Sequence, residues 1–169
     1  MEAIHIPWLL KLPEQTEAIQ VNECIAGLET LTPVRGRMQV AHRGNYLEVS
    51  AQAETIITLT CDRCLQQYNH RLQVDASEMV WLDESADRPD EGPLERETAL
   101  EDLVETLPPQ GYFQPDVWLY EQLCLATPPR RLCDQNCPGI QINDKGKGSA
   151  ALTDRRWQAL EDLKKQLPG

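Results

Sequence analysis

YLEVSAQAETIITLTCDRCLQQYNHRLQVDASEMVWL, residues 46–82, carries two long strand-like runs on either side of a cysteine pair. Residues 46–60 are rich in β-branched side chains, which suit a pleated, half-buried strand. After Cys61-Asp62-Arg63-Cys64 the chain alternates again through Tyr68, Leu72 and Val74 and runs to Trp81. Two long strands joined at a Cys-x-x-Cys make an antiparallel pair with the cysteines at its corner.

Upstream, residues 34–43 alternate with Val34, Met38 and Val40 apolar, and Gly44-Asn45 reads as a turn into the long strand. Residues 17–31 are ambiguous: AIQVN suits a strand, and ECIAGLETL suits a helical turn closed before Pro33. Ile4 and Ile6 suggest a short strand stopped by Pro7.

Downstream, residues 83–97 are acidic, contain two Pro and one Gly, and read as a loop. TALEDLVETL carries Leu100, Leu103, Val104 and Leu107 at helical spacing until PPQGYFQP breaks it. DVWLYEQLCLA predicts a helix with Asp116 as N-cap and Pro128-Pro129 as its stop; apolar on nearly every side, it should lie against the sheet. The final helix, residues 153–169, places Trp157, Leu160, Leu163 and Leu167 on one stripe.

The expected fold class is α+β: an antiparallel β meander or partly open barrel covered by one or two helices, with a C-terminal amphipathic helix. The expected domain plan is one α+β domain over residues 1–142, with the acidic loop at 83–97. A flexible linker at 143–152 leads to the C-terminal helix at 153–169.

The formal net charge is −11 and unevenly placed. Residues 76–106 hold eleven acids against Arg88 and Arg96, a net of −9. Residues 127–169 hold eight Lys or Arg against five acids, a net of +3, and Arg35, Arg37 and Arg43 form a second basic stretch. Phosphate contact rests on a concentrated positive face, so this balance argues against an electrostatic nucleic-acid binder and suits a basic partner or none that is charged. The N-terminus lacks the basic region and cleavage site of a signal peptide, and no apolar run reaches membrane length. A cytoplasmic protein with reduced thiols is the expectation.

Cys61-x-x-Cys64 and Cys133-x-x-x-Cys137 are the close cysteine pairs, while Cys24 and Cys124 stand apart and read as core residues. Three readings are open for the pairs. A redox pair needs a thiolate favoured by a helix N-terminus, but a strand follows Cys64, and Arg63 is its only cationic help. One structural zinc needs four thiolates in a tetrahedron, with the spacing in CDQNC one residue longer than the common knuckle. Thiols packed at turns need no metal at all. With or without a metal, both pairs sit at corners and Pro128-Pro129 turns the chain back, so Cys61, Cys64, Cys133 and Cys137 are expected to converge. His5, His42 and His70 are scattered, His42 and His70 reading as exposed strand residues, and no phosphate loop or nucleophile motif is present. No enzyme activity and no small-molecule substrate are expected.

The order of these features, an alternating strand ending in LTCDRCL, an acidic interruption, DVWLYEQLCLATPPRRLC and a C-x-x-x-C-x-G stretch, resembles the YceD family of large ribosomal RNA subunit accumulation proteins. The resemblance covers about residues 34–140 and looks like the cyanobacterial and plastid branch; the terminal DRRWQALEDLKK is similar to the ending of many members. It implies a non-enzymatic ribosome-biogenesis factor needed for accumulation of large-subunit ribosomal RNA. Its implied partner is a ribosomal protein or a pre-ribosomal large-subunit particle, with RNA touched marginally by the basic stretches. The alternative is a thiol-redox or zinc-stabilised interaction module using Cys61 and Cys64.

Overall fold

The computed structural model describes residues 1–86 and 104–140. In chain order it contains β1 (Ile4–His5), α1 (Ile6–Leu9), a 3-10 turn at Pro13–Gln15, β2 (Thr16–Glu23), β3 (Val34–His42), β4 (Tyr46–Thr60), β5 (Gln67–Leu82), β6 (Thr106–Leu107), β7 (Tyr112–Phe113) and α2 (Pro115–Ala126). Strands β2 to β6 form an open sheet in sequence order. The first four are antiparallel, and β6 pairs parallel to the end of β5 through Trp81↔Thr106 and Leu82↔Leu107. Strand β1 pairs with β7 apart from this sheet.

Alternation decides which face is buried, because successive strand side chains point to opposite faces. Leu47, Val49, Ala51, Ala53, Thr55, Ile57 and Leu59 of β4 are buried, and the residues alternating with them reach solvent. The buried face continues sideways through Val34, Met38 and Val40 on β3 and Leu72, Val74 and Val80 on β5. Helix α2 covers that face with Trp118, Leu119 and Leu123, and Ile4, Ile6, Leu9 and Phe113 complete the same core. Each fully buried Leu contributes about 1.5–3 kcal/mol relative to exposure. Thr55, in the buried row, donates its hydroxyl to the Thr32 carbonyl at 2.7 Å. Glu78 on β5 accepts from Trp118 Nε1 at 2.7 Å and Gln122 Nε2 at 3.1 Å, tying α2 to the sheet. At Gly36, a Cβ would run into the Gln52 carbonyl oxygen and lie 2.6 Å from Ala53 Cα, so β3 and β4 approach more closely than a side chain permits.

Strands β3, β4 and β5 and helix α2 follow the sequence expectation, and the meander is open rather than closed into a barrel. Several local expectations are corrected. Residues 24–31 form turns and a bridge from Thr30 to Ile57 instead of a helical turn. Ile6 opens α1, in which Pro7 occupies the first turn, where its missing N–H costs nothing. Thr106–Leu107, at the end of the predicted helix 98–107, is an edge strand. Gln114, not Asp116, is the N-cap of α2, and Asp116 lies in the first helical turn, where it favours the dipole. His42 is buried at 7% exposure, its Nδ1 accepting from the Gly44 N–H at 3.2 Å, and burial lowers its pKa. The acidic loop from residue 87, the start of the predicted helix 98–107, the linker 143–152 and the C-terminal helix 153–169 lie outside the described residues.

Candidate metal centre

The β4–β5 pair ends at Thr60↔Gln67, and the six residues between make a tight loop. The Cys61 N–H donates to the Gln66 carbonyl at 2.9 Å and the Leu65 N–H to the Cys61 carbonyl at 2.9 Å. Leu65 takes φ +60°, a left-handed conformation that costs a non-glycine residue about 1–2 kcal/mol. After α2, Thr127 caps the last turn by donating to the Leu123 carbonyl, and Pro128-Pro129 releases the chain toward the loop. There the Asp134 carboxylate accepts from the Asn136 N–H at 2.7 Å, and the Cys137 N–H returns to the Asp134 carbonyl.

The two loops bring Cys61, Cys64, Cys133 and Cys137 together, with all four sulfurs within 4.8 Å of one another. Cys61 Sγ lies 3.8 Å from Cys137 Sγ, and Cys64 Sγ lies 3.7 Å from Cys133 Sγ. Four thiolates bound to zinc at 2.3 Å in a tetrahedron are separated by about 3.8 Å. The donor set and the spacing therefore fit a single tetrahedral ion. Cys61 and Cys137 are buried, Cys64 is half-buried and Cys133 is exposed.

Electrostatics also favours a cation here. Backbone N–H groups of Cys133 and Cys64 donate toward the Cys61 sulfur and bring its thiol down to about 6. Beside Cys137, Cys61 and Cys64, the Cys133 thiol is pushed up to about 12. The Gln66 N–H favours a thiolate at Cys64, but burial and the Cys61 and Cys137 sulfurs outweigh it and raise that thiol. Like charges this close do not ionise together, and a bound cation removes that obstacle.

The middle residues of CDRC clamp the second loop, which sequence reasoning missed. The Asp62 N–H donates to the Arg131 carbonyl at 2.8 Å, and the Arg131 N–H returns to the Asp62 carboxylate at 2.8 Å. Arg63 donates to the Cys137 carbonyl at 3.1 Å and the Gln135 carbonyl at 3.5 Å, so it fastens backbone rather than merely aiding a thiolate. Gly139 passes beside the Arg63 carbonyl at φ +79°, where a side chain is strained. The only signal in the sequence was two charged residues inside a Cys-x-x-Cys. Cys24 and Cys124, expected in the core, are exposed and outside the cluster.

Fold and site together define an α+β protein whose longest strand pair ends in a four-thiol centre able to hold one metal ion, closed by a distant second loop. The chain belongs to the YceD family, described as large ribosomal RNA subunit accumulation protein, whose model matches residues 49–164 and so includes all four cysteines. Comparison with curated proteins and with solved structures gives no match. Among the described residues, no helix is long and apolar enough to cross a membrane.

Proposed function

We propose that this protein is a non-enzymatic factor in the accumulation of large-subunit ribosomal RNA, working by contact with a ribosomal protein or pre-ribosomal particle in the cytoplasm. The observation that carries this reading is the family match, which spans the cysteine corner and most of the β4–β5 pair. One zinc ion held by Cys61, Cys64, Cys133 and Cys137 has a structural part in it: four protein ligands leave no open position for substrate or water.

Charge favours protein over bare RNA as the direct partner. The whole chain carries −11, and the arginines of the basic stretch Arg35, Arg37 and Arg43 are partly answered by neighbours, with Arg43 paired to Glu48 at 2.9 Å and Arg37 bonded to Gln52 at 2.7 Å. Depleting the protein is expected to lower large-subunit RNA relative to small-subunit RNA, and restoring the Cys61→Ser chain is expected to rescue less than the unaltered chain. An unchanged RNA ratio on full depletion would refute the proposal. Tight, salt-resistant binding of the pure protein to bare RNA would replace the protein partner with a direct RNA one.

A further inference from the structure

The sulfurs of the corner differ in exposure, and two of their close contacts run between the loops. Cys64 sits 3.7 Å from Cys133, and Cys61 sits 3.8 Å from Cys137. The first pair lies on the solvent side, with Cys64 half-buried and Cys133 exposed, while Cys61 and Cys137 are buried at 0% and 6% exposure. Cys64 and Cys133, with the edge of Cys137, line a recess of about 520 Å³ beside Gln66, Asp134 and Asn136, an approach route for a small oxidant that Cys61 does not reach.

We propose that Cys64 and Cys133 are a modification site: a peroxide converts them to an inter-loop disulfide that keeps the second loop fastened to the β4–β5 corner when the metal is gone. The Cys133 thiol attacks the peroxide and passes its proton to the leaving hydroxide as the O–O bond breaks, so Cys133 becomes a sulfenic acid and one water is released. Cys64 sulfur then attacks the Cys133 sulfur, the S–O bond breaks and a second water leaves. Two thiols are oxidised by two electrons and one peroxide is reduced to two waters. Closing from 3.7 Å to a bond of about 2.0 Å asks for a modest approach of two side chains already facing each other.

The consequence is structural. A tetrahedral site deprived of two ligands no longer holds zinc, yet the new bond spans the same two loops that the metal joined, residues 69 apart in sequence. Asp62 with Arg131 and Arg63 with the Cys137 carbonyl already set those loops in register, so the covalent staple forms without rearranging them. A Cys61–Cys64 disulfide would instead lie within one loop and let the second loop go.

The pairing can be mapped on the full chain, whatever its metal content. The protein is titrated with hydrogen peroxide, free thiols are blocked, and trypsin plus a protease cutting before Asp are applied without reductant. Cleavage at Asp62 and Arg63 separates Cys61 from Cys64, and cleavage at Asp134 separates Cys133 from Cys137. The expected main crosslink joins the Cys64 peptide to the Cys133 peptide. After chelation, native digestion at Arg130 and Arg131 is expected to be at least tenfold slower for the oxidised chain than for the reduced chain. A dominant Cys61–Cys64 crosslink, sulfinic acids without a crosslink, or equal cleavage of the two forms would overturn the proposal. Cys61→Ser is expected to keep the crosslink and Cys133→Ser to lose it.

Discussion

Along β4 the surroundings of a side chain follow from its neighbours two positions away, whereas at the corner the partners of Cys61 and Cys64 lie 76 and 69 residues off. The strand body is held by many interchangeable apolar contacts across β3, β4, β5 and α2. The corner rests on four sulfurs, one Asp–Arg backbone exchange and one guanidinium. Regions built this way should fail differently. The body should lose stability in proportion to the volume removed, and the corner should open locally while the sheet persists.

The sharpest way to break that contrast is to damage each region and read both. Leu119→Ala removes a fully buried contact from α2 and is expected to cost about 2–5 kcal/mol in denaturant unfolding, with corner and sheet lost together. Gly36→Ala places a methyl against the Gln52 carbonyl and Ala53, with an expected cost of about 1–3 kcal/mol in the same measurement. Arg63→Ala removes the guanidinium from the Cys137 carbonyl at a cost of about 1–2 kcal/mol. Its effect should appear in hydrogen exchange as faster amides at residues 131–139 and unchanged amides in β4. Uniform acceleration across both regions would erase the distinction.

The smallest expected effect concerns pH. Burial, then the Glu78 and Glu121 carboxylates, raise the Glu105 pKa above its ordinary value of 4.5. A raised carboxyl in the folded state binds its proton more tightly there, so its ionisation penalises folding above the folded-state pKa. The penalty fades as pH falls through that pKa and is gone below the ordinary value. Glu105→Gln should therefore raise Tm slightly at pH 7 and leave it unchanged near pH 3.5. Glu105 is only partly desolvated and still meets solvent, so added salt should shrink the gain. A gain that persists at low pH would assign the effect to something other than charge.

Sequence made the body readable because a period of two over fifteen or sixteen residues has few alternative explanations. It failed where pairing overrides local pattern. Val104 and Leu107 kept helical spacing, but Leu107 is fixed by Leu82 on the neighbouring strand. The run ECIAGLETL looked helical, and Thr30 is instead drawn to Ile57. The convergence of the two cysteine pairs was legible because both fell at predicted corners. The clamps were not, since the partners of Asp62 and Arg63 are backbone groups that any sequence offers. Cys24 and Cys124 misled because a small apolar thiol is usually buried, and these two are exposed.

Two loops far apart in sequence bring four thiols together in a set that fits one metal ion. Zinc K-edge X-ray absorption on the purified protein, alongside metal content per chain, shows whether that set is filled. The expected result is about one zinc per chain, surrounded by four sulfur neighbours at about 2.3 Å with no nitrogen or oxygen in that shell. A metal-free protein that takes up no added zinc, or a zinc shell containing two sulfurs with lighter atoms, would contradict it.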